Sequence, residues 1–166
     1  DDDINLSLTK SGDKSIALKV SDSTSSVNYM LTDTSIINEP PTLKSIPEFE
    51  LNIDVTPQFI NKFIAGKGAL GETDNFTIIT DGGSVKAVIG YSSVNTNRVT
   101  IPVTTTKASD IDNVSFNANI FKEVLSANKE CESATLEVSS EGLSRITFKV
   151  DDYTSTYYLV AVQDVD

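Results

Sequence analysis

The chain has 166 residues, 39% of them hydrophobic, and a formal net charge of −11. It is long enough for one well-packed domain and part of another, and no apolar run approaches the length of a membrane span. The sequence has no His or Trp and one Cys, so an internal disulfide is excluded and acid–base and thiol catalysts are scarce. We therefore expect a protein that is not an enzyme and needs no cofactor.

Short runs rich in Val, Ile, Thr, Tyr and Phe alternate with polar residues along most of the chain, which is typical of half-buried β-strands. These runs cover residues 4–8, 15–20, 27–32, 49–55, 76–80, 85–91, 98–105, 114–116, 134–138, 145–150 and 156–162. Turn sequences such as those at 10–13 and 81–83 separate several of them. The pattern predicts an antiparallel, meander-like sheet protein.

Residues 33–48 interrupt the strand pattern. Pro40, Pro41 and Pro47 lie in this segment and cannot sit within a sheet ladder. We interpret the segment as an interdomain linker. Residues 1–32 are then three strands left from a preceding domain, and residues 49–166 form a complete domain. Because the chain begins at once with strand alternation and without a signal peptide, we expect it to be a piece of a longer protein.

Two segments show helical periodicity. The first begins at Thr56, a favourable N-cap, has Pro57 at its first helical position and is predicted to end near Ala65. The second begins at the N-cap Asn117 and is predicted to end near Lys129. An offset of 61 residues, from position 59 to position 120, superposes their apolar positions. These are Phe59, Ile60, Phe63 and Ile64 in the first helix and Ile120, Phe121, Val124 and Leu125 in the second.

Each helix is preceded by one predicted strand and followed by three. The same unit therefore occurs twice, at about 49–105 and 113–163, and such repeats constrain the fold strongly. We predict an α+β domain built from two strand-helix-three-strand repeats. Both helices are expected to lie on one face of the antiparallel sheets.

Charge is distributed unevenly between the helices and the rest of the chain. The helical segments 56–70 and 117–129 contain four basic residues and one acid, Glu123, which gives +3. The other nine basic and 23 acidic residues give −14. The basic residues are Lys62, Lys67, Lys122 and Lys129, and the uncharged donors considered with them are Asn61, Asn119 and Ser126. Such side chains contact phosphates without reading sequence, so the pattern predicts that the helices bind a nucleic-acid backbone.

The repeated unit, the acidic exterior and the mildly basic helices together resemble the DNA polymerase sliding clamps, most closely those of the T-even bacteriophage type. The resemblance extends over about residues 1–163 and depends more on topology than on any diagnostic motif. The segments that carry it are Ile46-Pro47-Glu48-Phe49, Thr56–Gly66, Asn75-Phe76-Thr77-Ile78, Ser115-Phe116-Asn117-Ala118-Asn119 and Tyr157-Tyr158-Leu159-Val160-Ala161.

The resemblance implies a DNA clamp (processivity) fold and a head-to-tail homotrimeric ring around duplex DNA, in which the four lysines face phosphates. It implies a polymerase and a clamp loader as partners and, for a phage protein, the cytoplasm of an infected bacterium. It places the subunit interface between residues 26–32 of one subunit and 98–105 of the next, through Val27, Tyr29, Leu31, Val99, Ile101 and Val103. It places the partner groove beside the linker, at Ile36, Ile37, Leu43, Val160 and Val162.

Two other functions fit parts of the sequence. An acidic protein rich in Thr and Ser also suits a structural or adhesion module of a virion or a cell surface. A small-ligand module of the same fold requires a polar cleft that the sequence does not indicate. The two acid-poor helices favour the clamp, since an adhesion sandwich needs no such pair. We expect no metal site, because Asp151-Asp152 lacks the ligand spacing of a calcium loop.

Overall fold

The computed structural model describes residues 3–39, 45–92, 94 and 97–162. Its strands are β1 (Asn5–Ser11), β2 (Lys14–Ser21), β3 (Ser26–Met30), β4 (Leu51–Asp54), β5 (Asn75–Asp81), β6 (Ser84–Ile89), β7 (Val99–Pro102), β8 (Thr104–Lys107), β9 (Val114–Asn117), β10 (Ser133–Val138), β11 (Leu143–Val150) and β12 (Tyr153–Val160). The helices are α1 (Pro57–Ala69) and α2 (Ala118–Ala127), and a 3₁₀ turn covers Thr34–Ile36. The chain divides into two compact units, Asp1–Lys44 and Ser45–Asp166.

The first unit is a three-stranded antiparallel sheet with the order β1-β2-β3. Its register brings apolar residues directly opposite one another on all three strands, so they share one face of the sheet. We call this the open face, and its members are Leu6, Leu8, Leu18, Val20, Val27 and Tyr29. Leu18 and Val20 on the central strand are half-buried, and the other four side chains are exposed.

The second unit contains two antiparallel sheets, one of order β12-β11-β10-β4-β8 and one of order β7-β6-β5-β9. Strands β7 and β8 are separated only by Val103, so one stretch of chain supplies the edges of both sheets at one end of the unit. At the other end, the Val162 N–H, just beyond β12, donates to the Ser115 carbonyl in β9 (2.8 Å). The unit therefore has a β7/β8 end and a β12/β9 end.

The two predicted repeats are confirmed as β4-α1-β5-β6-β7/β8 and β9-α2-β10-β11-β12. The strand predicted over 98–105 differs in one respect, because it divides at Val103 and changes sheets. The ladder of β7 with β6 ends with the bond from Val103 N–H to the Val85 carbonyl (3.2 Å), and the next residue, Thr104, already pairs with Asp54 of β4.

Both helices begin where the sequence predicts. The Thr56 hydroxyl accepts from the Phe59 N–H (3.1 Å), and the Asn117 side-chain oxygen accepts from the Ile120 N–H (2.9 Å). The predicted end of α1 near Ala65 is wrong, since the helix continues through Gly66 to Ala69. No helix in the described part of the chain is long and apolar enough to cross a membrane.

Gly66 allows α1 to pass close to β7. A Cβ at this position would lie 2.9 Å from Val99 Cγ1 and 3.3 Å from Ile89 Cδ1. The residue therefore serves as a point of close helix–sheet approach. This close packing explains why Gly66 lies inside α1, although glycine usually ends a helix.

Aromatic residues from both repeats hold the two helices side by side on one face of the sheets. The Phe63 and Phe121 rings meet edge to face with centroids 4.9 Å apart, and Phe121 stacks on Phe76 of β5 at 4.7 Å. The apolar stripe predicted for α2 is wrong at Ile120, which is 57% exposed. Ile120 directly precedes the buried Phe121 and lies outside the contact with α1.

Candidate nucleic-acid interface

The exposed face of α1 carries Asn61 and Lys62, as predicted. Phe59, Ile60 and Phe63 are buried on the opposite face of the helix. Lys62 lies on the side of the helix next to the β7/β8 edge, where it lines a small hollow with Pro102 and neighbouring residues. Its ammonium group has no ion-pair partner among the described residues.

Lys67 does not face outward, and its expected role in phosphate binding is corrected. The residue is 4% exposed, and its Nζ donates to the carbonyl oxygens of Gly71 (2.9 Å) and Leu70 (3.4 Å). The prediction ended α1 at Ala65 and therefore placed Lys67 outside the helix. The observed helix continues to Ala69 and places Lys67 in its last turn. A cation is favourable there, because it neutralises the carbonyl end of the helix dipole.

The α2 helix presents Asn119 at its beginning and Lys122 and Ser126 on its flank. Asn119 is exposed, and its side-chain N–H donates to the Asp74 carboxylate (3.3 Å). Lys122 is half-buried and lies 3.7 Å from the carboxylate of Glu123, which is itself exposed. Ser126 is half-buried, and Lys129 lies exposed beyond the end of α2.

The positive charge of the helical face is therefore smaller than the sequence predicts. Without Lys67, three lysines and Glu123 leave 3 − 1 = +2 instead of +3. Asp74, which lies outside the two helical segments in sequence, adds a carboxylate beside Asn119. The face carries a modest positive charge in a chain of −11, which suits weak contacts to phosphates and excludes a strongly basic groove.

The two strands predicted to form a subunit interface are both sheet edges. Strand β3 is one of the two outer strands of the first unit, and the side chains of Val27 and Tyr29 in it and of Leu31 just after it are exposed. Strand β7 is the outer strand of the four-stranded sheet.

The side chains predicted on the second of these strands point into their own unit. Ile101 is buried in the core, and Val99 and Val103 are half-buried against it. The expectation that Ile101 contacts a neighbouring subunit is wrong. An interface at β7 would use its backbone edge and the exposed Thr100 and Pro102 instead.

Of the residues predicted for a partner groove, only Ile37 lines a groove in the first unit. Ile37 lines a groove of about 550 Å³ together with Ile16 and Leu31, and Lys14 and Asp33 form an ion pair (2.6 Å) at its rim. Sequence reasoning missed Ile16, which lies on β2 and enters the groove only because of the sheet register. Ile36 is exposed but is not among the groove-lining residues, and Leu43 lies outside the described residues.

The remaining groove candidates belong to the second unit. Val160 at the end of β12 is exposed, and Val162 is partly exposed with its N–H bonded to β9. Among the described residues, no group of three or more His, Cys, Asp or Glu side chains could hold a metal ion. Cys131 is buried, and this burial raises the pKa of its thiol above the ordinary value.

No protein-family model matches the chain, and no curated protein matches it by sequence. Solved structures do match. Proliferating cellular nuclear antigen (PCNA) from Entamoeba histolytica superposes with a TM-score of 0.69 at 19% identity, covering 98% of this chain and 66% of that one. PCNA from A. fulgidus, bound to the C-terminal region of FEN-1, gives 0.67 at 14% identity, with coverages of 98% and 65%.

The PCNA2-PCNA3 complex from Sulfolobus tokodaii gives a TM-score of 0.66 at 13% identity, with coverages of 87% and 60%. The chain thus spans less than two thirds of the length of each of these clamps. It nevertheless has the fold of PCNA-type sliding clamps, and the fold predicted from the sequence is confirmed.

Proposed function

We propose that this chain acts in a DNA sliding clamp, which encircles duplex DNA and holds a replicative polymerase on it without chemistry of its own. The observation that carries the proposal is the pair α1 and α2. These helices lie side by side on one face of the sheets and carry Lys62 and Lys122, with Lys129 just beyond the end of α2, while the rest of the chain is strongly acidic. Such a face attracts the phosphate backbone, and the acidic remainder repels it.

Sliding requires that the contacts carry no base specificity. Lysine and asparagine side chains on a gently charged face bind phosphates at any position along the duplex. The modest positive charge is consistent with this role, because a ring retains DNA by enclosing it and needs little affinity.

We further propose a domain organisation. Residues 1–32 correspond to the last three strands of a first clamp domain, residues 33–48 to the linker and residues 49–166 to a complete second domain. The support is an internal match: β1-β2-β3 has the same antiparallel meander order as β10-β11-β12. From the resemblance to the T-even phage clamps we also propose that the protein forms a homotrimeric ring, that a clamp loader is a partner and that it acts in the cytoplasm of an infected bacterium.

The groove at Ile16, Leu31 and Ile37 is the proposed docking site for an apolar peptide end of the polymerase or loader. Its wall is apolar and its rim carries an ion pair, a combination that is typical of sites that orient a short peptide. One of the similar clamps is bound to the C-terminal region of another protein, FEN-1, which is consistent with a peptide-binding role for this chain.

Charge reversal tests the DNA-binding face. We expect Lys62→Glu combined with Lys122→Glu to weaken binding to a short duplex at low salt, measured by fluorescence anisotropy. The slope of log K against log salt should fall by about 2, because each phosphate contact contributes about 0.9. Two duplexes of unrelated sequence should behave alike.

Lys149→Glu is the matched control. Lys149 is exposed on β11, on the sheet face opposite the buried Ile146 and Phe148, and the substitution changes the net charge in the same direction. If Lys149→Glu alone weakened binding as much as either helix lysine, binding would depend on total charge only. The clamp assignment would then lose its main support.

A further inference from the structure

The two helices of the DNA-binding face differ in charge at one equivalent position. The offset of 61 residues that aligns the N-caps Thr56 and Asn117 places Glu123 of α2 at the position that Lys62 occupies in α1. Both residues are exposed. The first repeat therefore presents a cation where the second presents an anion. The repeat makes the two helices similar in packing, whereas their outward charges are opposite at this position.

Glu123 lies on the outward side of α2. Ala118, Phe121 and Leu125 are the buried residues of this helix, and each residue advances about 100° around the helix axis. Glu123 consequently lies opposite the buried three, and its side chain is 76% exposed. Lys122 lies about 100° closer to the buried side, and its side chain is 36% exposed. A duplex that lies along α2 therefore meets the carboxylate more directly than the ammonium group.

The same carboxylate offsets the charge of the lysine. Lys122 is the one basic residue of α2, and its Nζ lies 3.7 Å from Glu123 Oε1. Lys62 of α1 has no ion-pair partner in the part of the chain that the structure describes, although Asp54 lines the same hollow. Helix α1 therefore offers a phosphate an unpaired cation, whereas α2 offers a cation with an anion beside it.

A second acid offsets the beginning of α2. The N-terminus of a helix carries a partial positive charge that attracts phosphates. At α2, the Asp74 carbonyl accepts from the Ala118 N–H (2.7 Å), and the exposed Asp74 carboxylate accepts from the Asn119 side chain (3.3 Å). At α1, the Thr56 hydroxyl caps the helix, and residues 56–70 contain no acid. Both attractions for phosphate are thus weaker at α2 than at α1.

We propose that Glu123 limits the affinity of the DNA-binding face for duplex DNA. The inference rests on the proposed clamp function and adds a residue that opposes binding to the residues that promote it. A carboxylate repels the phosphates of every sequence equally, so it weakens the contact without holding the protein at particular sites. Weak contacts suit a protein that retains DNA by enclosing it and moves along it.

Neutralising this carboxylate in the full chain tests the inference. Glu123→Gln keeps the size of the side chain and removes its charge. We expect about fivefold tighter binding to a short duplex at low salt, measured by fluorescence anisotropy, which is the effect of one unit charge close to one phosphate in water. The gain should shrink at high salt, because salt screens exposed charges. Glu123→Lys should also steepen the slope of log K against log salt by about 0.9, since it adds a cation.

Glu141→Gln is the matched control. Glu141 is an exposed acid in the turn between β10 and β11, and its neutralisation changes the net charge by the same amount. Thermal unfolding should be unchanged in both variants, because both side chains are exposed. Equal gains in affinity for Glu123→Gln and Glu141→Gln would overturn the inference, because binding would then follow total charge. Unchanged affinity of Glu123→Gln would overturn it as well.

Lys62→Glu, measured beside these variants, separates the inference from the clamp proposal. Weaker binding of Lys62→Glu together with unchanged binding of Glu123→Gln would overturn the inference and leave the clamp proposal intact. Unchanged binding of Lys62→Glu together with a gain confined to Glu123→Gln would support the inference and contradict a DNA-binding face that includes α1. No change in either variant would overturn both.

Discussion

The sheets β1-β2-β3 and β10-β11-β12 have the same strand order and a similar apolar pattern, yet they are buried to very different degrees. In the second sheet, Ile146 and Phe148 are fully buried within the core that α1 and α2 complete. In the first sheet, the equivalent apolar stripe is the open face, where Leu6 is 69% and Tyr29 59% exposed. Alternation along a strand thus specifies which side chains share a face, and only a second layer determines whether that face is buried.

The difference has an energetic consequence. Burial contributes about 25 cal/mol for each Å² of apolar surface removed from water, and the open face gains little of this. Backbone ladders alone leave the first unit at the low end of local stability. The second unit carries the large contacts, and the most disruptive substitutions are expected there.

The largest expected effect comes from the centre of the aromatic cluster. Phe121→Ala removes a ring that contacts Phe59, Phe63 and Phe76 and should destabilise the second unit by about 3–5 kcal/mol. Tyr29→Ala on the open face should change stability by less than about 1 kcal/mol. Hydrogen exchange of the β11 and β2 amides measures the two units separately. Comparable losses from the two substitutions would show that the open face is covered.

An intermediate effect is expected where α1 approaches β7. Gly66→Ala places a Cβ within 2.9 Å of Val99 Cγ1, and overpacking of this kind costs about 1–3 kcal/mol. The gain in helix propensity, about 1 kcal/mol, offsets part of this cost. Thermal unfolding of Gly66→Ala with and without Val99→Ala checks the contact, because the second substitution should restore most of the loss. A stabilised single variant would contradict the observed packing.

Lys67→Met separates a structural lysine from a DNA-binding one. It removes the charge-assisted bonds to the Leu70 and Gly71 carbonyls and should cost about 1–2 kcal/mol in the free energy of unfolding. The salt slope of DNA binding should stay unchanged, in contrast to Lys62→Glu with Lys122→Glu. A reduced slope for Lys67→Met would restore this residue to the DNA-facing set.

The smallest effect concerns the turn between β2 and β3. Backbone and hydroxyl donors of Thr24 and Ser25 lower the pKa of Asp22 from 3.8 to about 2. A lowered folded-state pKa stabilises the fold above the unfolded value, and this contribution is lost as pH falls from about 4 towards 2. An NMR titration of the Asp22 carboxyl should give a midpoint near 2. A midpoint at the ordinary value would show that the turn is open in solution.

Local patterns sufficed to predict the repeat and both N-caps, since each depends on residues close in sequence, whereas the two sheet edges came from the resemblance to the clamps. Three features depended on packing and could not be predicted in this way. Lys67 is buried because α1 continues past Gly66. The helix can continue there because Gly66 has no Cβ and therefore packs closely against Val99 of β7. Ile120 is exposed because α1 covers Phe121 and not its neighbour. Ile16 joins Ile37 in a groove only through the register of β2 with β3.

The charge of the helical face shows the same limit. Counting acids within sequence windows omitted Asp74, which the fold places beside Asn119. It also overlooked the longest acid-free stretch with basic residues, 84–109, which contributes β6, β7 and β8 to the sheets. The face of α1 and α2 and the edge at β7 are therefore two alternative DNA-binding surfaces.

Changes in amide NMR shifts on addition of a short duplex show directly which of the two surfaces binds DNA. The clamp proposal expects small, salt-sensitive shifts at Asn61, Lys62, Lys122 and Lys129, the same for two unrelated DNA sequences. Shifts concentrated at Lys86, Arg98 and Thr100 would assign DNA to the β7 edge instead. That result would contradict the central claim that α1 and α2 form the DNA-binding face.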